Sequence, residues 1–329
     1  MPQNSKYVIG VDLGGTKIYS TVVDMAGNIQ ASARKKTKAE LGFDVVVGRI
    51  AKCIKEAADR GGIDLDTDIA TIGIGSPGPL DLDKGMIIET PNLKWKDAPL
   101  KARLEEILHK KVVIDNDCNA GILGEFAYGA GHGAQHMVGL FIGTGIGGGV
   151  IIDGKLLHGY NQNAGELGHV ILDPNGPECG CGVNGHLEAF ASRLAIEREI
   201  RVAELHGVQT AVLQNGEKTV RIRSKKIAEA FFAGDAAVIA AVEKSALYVG
   251  YAVANFLNIF NPQVVVIGGG VVEAIGEPYV KIVRNTATKN VFDIARRNVQ
   301  IVKAELGDNS AALGAAVLAW NAVANEKLL

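Results

Sequence analysis

Residues 7–24 read YVIGVDLGGTKIYSTVVD, and this stretch decides the fold. A run of β-branched residues is followed by a glycine turn and a second β-branched run, which is the pattern of a β-hairpin. A dinucleotide-binding fingerprint or a Walker loop needs a helix directly after its glycines, and residues 18–24 have a strand pattern instead. The sequence therefore excludes both of those nucleotide-binding folds.

A similar unit returns at residues 138–156, VGLFIGTGIGGGVIIDGKL, about 130 residues further along the chain. Two hairpins of one kind indicate a duplicated α/β domain. The backbone N–H groups of a glycine turn can approach a phosphate, and the recurrence of the turn beside Asp12, Thr16 and Thr144 favours phosphate binding at both. For either turn taken alone, a tight hairpin without a ligand remains the alternative.

The segment Gly165–Glu188, GELGHVILDPNGPECGCGVNGHLE, concentrates the most chemistry. Cys179 and Cys181, with His186 five positions on and His169 ten positions before Cys179, suit a tetrahedral Zn²⁺ site. The alternative is two small buried apolar cysteines in a turn. The flanking histidines and the lack of an apolar pattern over residues 173–184 favour the metal, since such a loop needs another tie. In the same segment, carboxylates at positions 166 and 188 stay available to accept hydrogen bonds from a polyhydroxylated ligand.

Polar residues follow an apolar strand in residues 112–125, VVIDNDCNAGILGE. Asp115, Asn116 and Asp117 come before a small-residue helix that we expect to begin near Asn119. Open α/β sheets place their chemistry at the carboxyl ends of strands, where helices begin. Asp117 could alternatively be a helix N-cap, although capping accounts for only one of these residues.

The motifs GELGH, CGCG and GHLEAFAS resemble the consensus of the ROK family (repressor, open reading frame, kinase), whose enzymes are mostly ATP-dependent sugar kinases. The family usually has a third cysteine at the position of His186, so the fourth zinc ligand stays open. The resemblance implies a two-domain actin- and hexokinase-like, ribonuclease H-like ATPase fold with ATP and a hexose in an interdomain cleft. We expect one domain over residues 1–117, joined by a terminal helix at about 310–329, and a second over residues 118–309.

The resemblance also implies roles for individual residues. It makes Asp117 the catalytic base, and it gives sugar contacts to Asn92, Asn116, Asp117, Glu166, His169 and Glu188. From sequence alone, Asn92 could equally be a turn asparagine. The expected ligands of ATP and Mg²⁺ are Asp12, Gly14, Gly15, Thr16, Lys17, Gly143, Thr144 and Gly145, with adenosine near Gly268, Gly269 and Gly270. The expected ligands of a structural zinc are His169, Cys179, Cys181 and His186.

The most specific function this reading predicts is phosphorylation of glucose at its 6-hydroxyl. N-acetylmannosamine, fructose and other hexoses remain alternatives. A sugar-responsive repressor would carry a helix-turn-helix domain ahead of the first hairpin, and only six residues precede Tyr7. An actin-like scaffold would have no use for the sugar-facing side chains.

Composition restricts the partners. The chain has 34 basic and 36 acidic side chains among 329 residues, so no charge bias indicates nucleic acid or an anionic membrane. Four cysteines do not form a plausible disulfide framework, the start lacks the pattern of a signal peptide, and the uncharged run of residues 137–152 contains six glycines. We expect a cytoplasmic homo-oligomer, a dimer or a tetramer, that binds a sugar and ATP.

Periodicity predicts helices over residues 45–58, 100–108 and 310–324, and a mainly helical region over residues 193–257. Cys53 should lie in the core and Cys118 should be a small packing residue. A buried strand should end at the glycines of residues 268–270. We expect the charged residues of the helical region to form solvated faces: Glu197, Arg198, Glu199, Arg201, Lys225 and Lys226.

One further expectation concerns a link between the zinc site and the sugar site. An imidazole can bind zinc through one nitrogen while the other contacts a sugar hydroxyl, so His169 should join the two sites. Loss of zinc should lower sugar affinity first. Nucleotide affinity should change much less, because the turns at Gly14, Gly145 and Gly268 are expected to lie far from the metal.

Overall fold

A computed structural model describes residues 6–90, 92–213 and 221–326, with side chains described to residue 324. The chain divides into two compact units. The first comprises residues 1–133, 156–164 and 308–329, and the second comprises residues 134–155 and 165–307. The boundary expected after residue 117 differs from this division, because the helix that begins there packs on the terminal helix within the first unit.

The strands are short, and most of their residues are buried. They are β1 (Tyr7–Leu13), β2 (Lys17–Val23), β3 (Ile29–Lys36), β4 (Ile69–Ser76), β5 (Leu80–Asp81), β6 (Met86–Thr90), β7 (Trp95–Ala98), β8 (Val112–Asn116), β9 (Met137–Ile142), β10 (Ile146–Ile152), β11 (Lys155–Leu156), β12 (Val264–Gly268) and β13 (Gln300–Lys303).

The helices follow the apolar periodicity of the sequence. They are α1 (Phe43–Arg60), α2 (Leu100–Leu108), α3 (Asp117–Tyr128), α4 (Leu187–Ala191), α5 (Arg193–Leu205), α6 (Ser224–Phe232), α7 (Ala236–Phe260), α8 (Gly270–Ile275), α9 (Glu277–Asn290) and α10 (Ser310–Glu326). Cys53 lies in the core on α1 with none of its surface exposed, which confirms its prediction.

The predicted duplication is confirmed by the two main sheets. In the first unit the order is β3-β2-β1-β4-β8, with β1 antiparallel to β2 and parallel to β4. In the second sheet the order is β11-β10-β9-β12-β13, with β9 antiparallel to β10 and parallel to β12. Each predicted glycine hairpin is therefore the centre of a five-stranded mixed sheet. Strands β5, β6 and β7 form a small third sheet.

Helix α10 packs on β1, β4 and α3 of the first unit through glycines that allow backbones to approach closely. A Cβ atom added at Gly10 would lie 1.9 Å from the carbonyl oxygen of Ala312, and one at Gly73 would lie 1.8 Å from that of Ala315. One at Gly314 would lie 1.6 Å from the carbonyl oxygen of Ala120. These positions hold glycine because any side chain would push α10 off the sheet.

Among the described residues, one helix, α7, is long enough and apolar enough to match a membrane span by length and composition. More than half of its most apolar window, 56%, is buried inside the protein. Its buried face, including Val242, Val249 and Phe256, belongs to the core of the second unit. These contacts are those of a core helix.

Candidate active site

Three acidic residues of the first unit, Asp12, Asp115 and Asp117, lie at the carboxyl edge of its sheet. Asp12 on β1 pairs with Gly75 on β4, and Gly75 pairs in turn with Asp115 on β8. All three strands are parallel, so their carboxyl ends meet at one edge. Asp117 follows β8 directly, at the start of α3. Its negative charge is close enough to Asp12 to raise the pKa of the Asp12 carboxyl group.

The three polar residues that follow β8 have three different roles. Asp115 is 2% exposed, and its carboxylate accepts a hydrogen bond from Asn119 Nδ2 (3.0 Å) and lies 2.7 Å from His158 Nε2. Asn116 caps α3, since its Oδ1 accepts from the N–H groups of Cys118 (2.8 Å) and Asn119 (3.2 Å). The alternative that Asp117 is the N-cap is therefore wrong, and so is the expected helix start at Asn119.

Because Asn116 caps α3 and Asp115 pairs with His158, Asp117 is the candidate for chemistry among the three. It stands at the first position of α3, and its Oδ1 accepts a hydrogen bond from the N–H of Cys118 at 2.9 Å. Burial raises its pKa, and the Cys118 hydrogen bond opposes that rise. A carboxylate with a raised pKa is a stronger base, which suits it to take a proton from a hydroxyl group.

Asp12 has a similar electrostatic environment. Burial raises the pKa of its carboxyl group to about 6, Lys17 opposes the rise, and Asp117 and Asp308 add to it. Lys17 Nζ lies 3.8 Å from Asp12 Oδ2 and 3.8 Å from Asp308 Oδ2. The turn from Gly14 to Lys17 therefore carries a cation among carboxylates, and a divalent cation would relieve this concentration of negative charge.

Asn92 lies against the first glycine turn. A Cβ atom on Gly15 would be 3.3 Å from Asn92 Cβ and 3.2 Å from its carbonyl oxygen. The Asn92 side chain is exposed, so it can contact a ligand at the sheet edge. The structure thus brings Asn92, Asp12 and the turn into one region of the first unit, as required for their expected roles.

The second glycine turn, residues 143–145, is closed by a hydrogen bond from Gly143 N–H to the Gly145 carbonyl at 2.9 Å. The N–H of Ile146, directly after the turn, donates to Glu188 Oε2 at 2.8 Å. A Cβ atom on Gly145 would lie only 2.1 Å from that carboxylate oxygen. Glu188 therefore packs directly on the turn, and the expectation that Gly145 lies far from the metal segment is wrong.

The four predicted zinc ligands lie together in the second unit. Their ligand atoms are all within 4.8 Å of one another. His169 Nδ1 is 3.2 Å from His186 Nδ1, Cys181 Sγ is 3.2 Å from His186 Nδ1, and Cys179 Sγ is 3.8 Å from His169 Nδ1. Tetrahedral Zn²⁺ with bonds of ~2.0–2.3 Å separates its ligand atoms by roughly 3.3–3.8 Å. The residues fit the metal.

Glu188 also touches this cluster. The thiol of Cys179 is 3.5 Å from Glu188 Oε1, while the other oxygen of the same carboxylate accepts from Ile146. Glu188 lies in the first turn of α4, two positions after His186, the residue that precedes this helix. The carboxylate is thus a direct link from the cluster to the glycine turn. Glu166 is exposed at the start of the short 3₁₀ turn Leu167–His169.

The glycines after β12 have a packing explanation for two of their three positions. A Cβ atom on Gly268 would lie 2.7 Å from the ring of Phe141, and one on Gly269, where φ is +88°, would lie 2.5 Å from the Ile142 nitrogen. At Gly270 the nearest atom is Ser224 Oγ at 3.5 Å, an ordinary contact. Packing therefore explains glycine at positions 268 and 269 but not at position 270.

Two features escaped sequence analysis. Glu197 is 9% exposed and accepts hydrogen bonds from Arg201 Nη2 (2.8 Å) and from the N–H of Ile222 (3.0 Å), so its assignment to a solvated face was wrong. The pairing of His158 with Asp115, 43 positions apart, was also missed, although an acidic residue in an apolar strand signals a need for a partner. The Asp115 hydrogen bond raises the pKa of His158.

The fold and the site define a class of protein: a duplicated α/β fold of the actin and hexokinase type, with two glycine turns and a basic carboxylate at a sheet edge. The profile of the ROK family matches residues 8–322. The chain therefore belongs to the ROK family, which confirms the resemblance stated above.

Relatives and solved structures agree with this assignment. The chain is 36% identical to a glucokinase of Thermotoga maritima, over 94% of this chain and 96% of that protein. A xylose repressor of Caldicellulosiruptor bescii is 32% identical over 93% of this chain and 76% of the repressor. The crystal structure of a ROK family glucokinase from Streptomyces griseus in complex with glucose and AMPPNP has a TM-score of 0.83 at 33% identity, covering 96% of this chain and 99% of that one.

Proposed function

We propose that this protein is an ATP-dependent hexose kinase that transfers the γ-phosphoryl group of ATP to the 6-hydroxyl of glucose. The observation that carries the proposal is Asp117, a half-buried carboxylate with a raised pKa at the carboxyl edge of a sheet. Beside it lie a glycine turn, whose backbone N–H groups suit phosphate oxygens, and Asp12, which suits the Mg²⁺ that accompanies a nucleoside triphosphate. Full-length similarity to proteins named glucokinase supports this choice of substrate.

Asp117 takes the proton from the attacking hydroxyl in this mechanism. The Cys118 N–H donates to Oδ1 and orients the carboxylate, which accepts the proton as the new P–O bond forms and the bond to the ADP leaving group breaks. Phosphoryl transfer depends mainly on alignment and charge neutralisation, so a single well-placed base is sufficient protein chemistry. Bound Mg²⁺ would supply neutralisation of the phosphate charge, and Asp12 is an oxygen ligand suited to it.

The sugar contacts are assigned by chemistry. The capping bonds of Asn116 use only Oδ1, so its Nδ2 can still donate to a hydroxyl group. Carboxylates and an imidazole can accept or donate further hydrogen bonds. We assign the hydroxyl contacts to Asn92, Asn116 and Asp117 in the first unit and to Glu166, His169 and Glu188 in the second.

The nucleotide ligands are the two glycine turns and the glycines after β12. In the first unit they are Asp12, Gly14, Gly15, Thr16 and Lys17. In the second unit they are Gly143, Thr144 and Gly145, with adenosine near Gly268, Gly269 and Gly270. Of these last three, Gly270 is the position at which packing does not explain glycine.

We also infer a structural Zn²⁺ held by His169, Cys179, Cys181 and His186. The distances among these atoms suit tetrahedral coordination, and four protein ligands leave no open position for catalysis. Both histidines turn Nδ1 toward the cluster, so Nε2 of His169 is the nitrogen that would meet a sugar hydroxyl. Thiolate ligands persist in a reducing compartment, which accords with a cytoplasmic location.

A coupled assay of ADP release tests the function. Purified, zinc-loaded protein with Mg-ATP should turn over glucose faster than fructose, mannose or N-acetylmannosamine. Preference for another sugar of the panel would keep the kinase and change the substrate. Protein that binds a sugar, shows no turnover with any of them and binds DNA in a sugar-dependent way would instead be a regulator.

A further inference from the structure

Arg193 is a buried cation beside the second glycine turn. It is the first residue of α5, and 8% of its surface is exposed. A buried guanidinium needs partners for its donors, since leaving them unpaired in a region of low dielectric is costly. The partners that Arg193 finds identify what it is for.

Arg193 holds the turn by both its backbone and its side chain. Its backbone N–H donates to the Gly143 carbonyl at 2.9 Å, and its Nη2 donates to Thr144 Oγ1 at 3.2 Å. Nη1 donates to the Ile222 carbonyl at 2.9 Å, which anchors the far side of the guanidinium. Two consecutive residues of the turn are thus fixed by one arginine.

Arg193 places a guanidinium directly behind the turn. Its Nη1 is 3.5 Å from Glu197 Oε2, and Glu197 also accepts from Arg201 Nη2 at 2.8 Å. Burial and nearby Arg221 lower the pKa of Arg193 and Glu197 raises it, but an arginine side chain remains protonated at neutral pH. The turn therefore has a positively charged side chain behind it.

The contact also sets the direction of the Thr144 hydroxyl. A guanidinium can only donate, so Thr144 Oγ1 must accept from Arg193, and its own proton must point to another acceptor. The Thr144 side chain is exposed at the turn, where a phosphate oxygen would be such an acceptor. A hydroxyl that is fixed as a donor before binding costs less entropy than one that must reorient.

We propose that Arg193 is a positioning residue for the nucleotide phosphates, which orients the Thr144 hydroxyl as a donor and supplies positive charge behind the turn of residues 143–145. This role rests on the proposed function, in which that turn binds ATP. It assigns Arg193 to the phosphates only. Adenosine and glucose affinity should not depend on it.

A double-mutant cycle with Thr144 tests the role. Affinities for a non-hydrolysable ATP analogue with Mg²⁺, for adenosine and for glucose are measured by calorimetry in wild type, Arg193→Met, Thr144→Val and the double variant. Arg193→Met should weaken binding of the analogue about 10-fold, the scale of one charge-assisted hydrogen bond, with adenosine and glucose changed less than ~2-fold. The double variant should lose less than the product of the single losses, because both act at one hydroxyl.

Arg193→Lys keeps the test valid if Arg193→Met does not fold. Lysine retains the charge but lacks the fork that reaches Thr144 and the Ile222 carbonyl together. The affinity for the analogue should therefore fall by about 3-fold in Arg193→Lys, which is less than the loss expected in Arg193→Met. Thermal melting confirms that each measured variant is folded. Unchanged analogue affinity in a folded variant, or an equal loss for adenosine, would overturn the inference.

Failure of this role can be told from failure of the proposed function. If wild type phosphorylates glucose and the Arg193 variants bind the analogue normally, the function stands and the inference is wrong. If wild type binds the analogue in an Arg193-dependent way but phosphorylates no sugar, the inference stands and the hexose function is wrong. If wild type does not bind the analogue at all, both are wrong.

Discussion

Asp117 is the residue on which the proposed chemistry depends. Asp117→Asn keeps the shape and the helix start, since Asn116 remains the cap, but removes the base. Turnover should fall roughly 10²-fold or more, the usual contribution of a general base, with glucose affinity retained. The coupled assay and calorimetry measure the two quantities, and Asp59→Asn on the exposed face of α1 is the control. Near-normal turnover would remove Asp117 from the chemistry.

The pKa of Asp12 leads to a prediction about stability. Because its pKa is raised from 3.8 to about 6, the folded protein binds a proton between these values that the unfolded chain does not. Stability from this group is therefore lost as pH rises through that window, by at most ~3 kcal/mol. Asp12→Asn should raise the melting temperature at pH 7.5 and have little effect at pH 5, while lowering kinase activity.

The outcome for Asp12→Asn distinguishes two accounts of the same residue. If the variant is destabilised at pH 7.5, the ion pair with Lys17 outweighs the cost of burial, and Asp12 is a structural residue. Stabilisation with loss of activity is the pattern of a group kept for function at the expense of stability.

His186 decides how this chain departs from the family pattern. His186→Ala removes one of four ligands, so zinc should be lost to a chelator that leaves wild type loaded. His186→Cys restores a thiolate and should retain the metal. Elemental analysis after chelator challenge measures this, with His132→Ala at an exposed position as the control. Full occupancy in His186→Ala would make His186 a bystander.

At the scale of elements, α10 depends on glycines for its close approach to its neighbours. Gly314→Ala would place a methyl group 1.6 Å from the Ala120 carbonyl oxygen of α3, so a backbone must shift. Unfolding in urea should show a loss of ~1–3 kcal/mol or more. Gly48→Ala on α1 is the matched control. Nothing outside the backbone of its own helix lies within 4 Å of the added methyl group, and alanine at this exposed position should stabilise the helix by up to ~1 kcal/mol. Equal effects at both sites would contradict the packing account.

The sequence predicted the secondary-structure elements better than it predicted the hydrogen-bond partners of individual side chains. Hairpins β1–β2 and β9–β10 and helix α2 follow from local periodicity and turns, and they form as expected. The burial of Glu197 and the pairing of His158 with Asp115 depend on contacts between distant segments, which no local pattern contains. The predicted start of α3 was two residues late. Asn116 and Asp117 are both good N-cap residues, and the structure is needed to show that Asn116 accepts the capping hydrogen bonds from the backbone N–H groups.

At the scale of the whole molecule, duplication explains why the two turns could be recognised together. Each sheet places an antiparallel glycine hairpin beside parallel strands, so the same geometry presents a turn in each unit. The copies then differ in what supports the turn. In the first unit Lys17 and carboxylates surround it, and in the second Glu188 and Arg193 contact it directly.

Metal removal should therefore affect more than the sugar. Because one oxygen of Glu188 lies 3.5 Å from Cys179 and the other accepts from Ile146, loosening the cluster releases a support of the turn at residues 143–145. We expect chelated protein to lose glucose affinity about 10-fold or more through His169 and Glu188, the scale of lost supporting contacts around a metal site. Affinity for a non-hydrolysable ATP analogue should also fall, whereas adenosine affinity should stay within ~2-fold because few adenosine contacts depend on the turn.

Calorimetry of zinc-loaded, chelated and reloaded protein measures all three ligands, and circular dichroism checks that the chelated protein is folded. Glu188→Ala separates the two effects, because it removes both contacts of the carboxylate. In that variant the loss of analogue affinity should appear with zinc still bound, and chelation should add little to it. If chelation leaves analogue affinity unchanged, the hydrogen bond from Ile146 does not transmit the state of the cluster. If it leaves glucose affinity unchanged, His169 does not join the metal to the sugar.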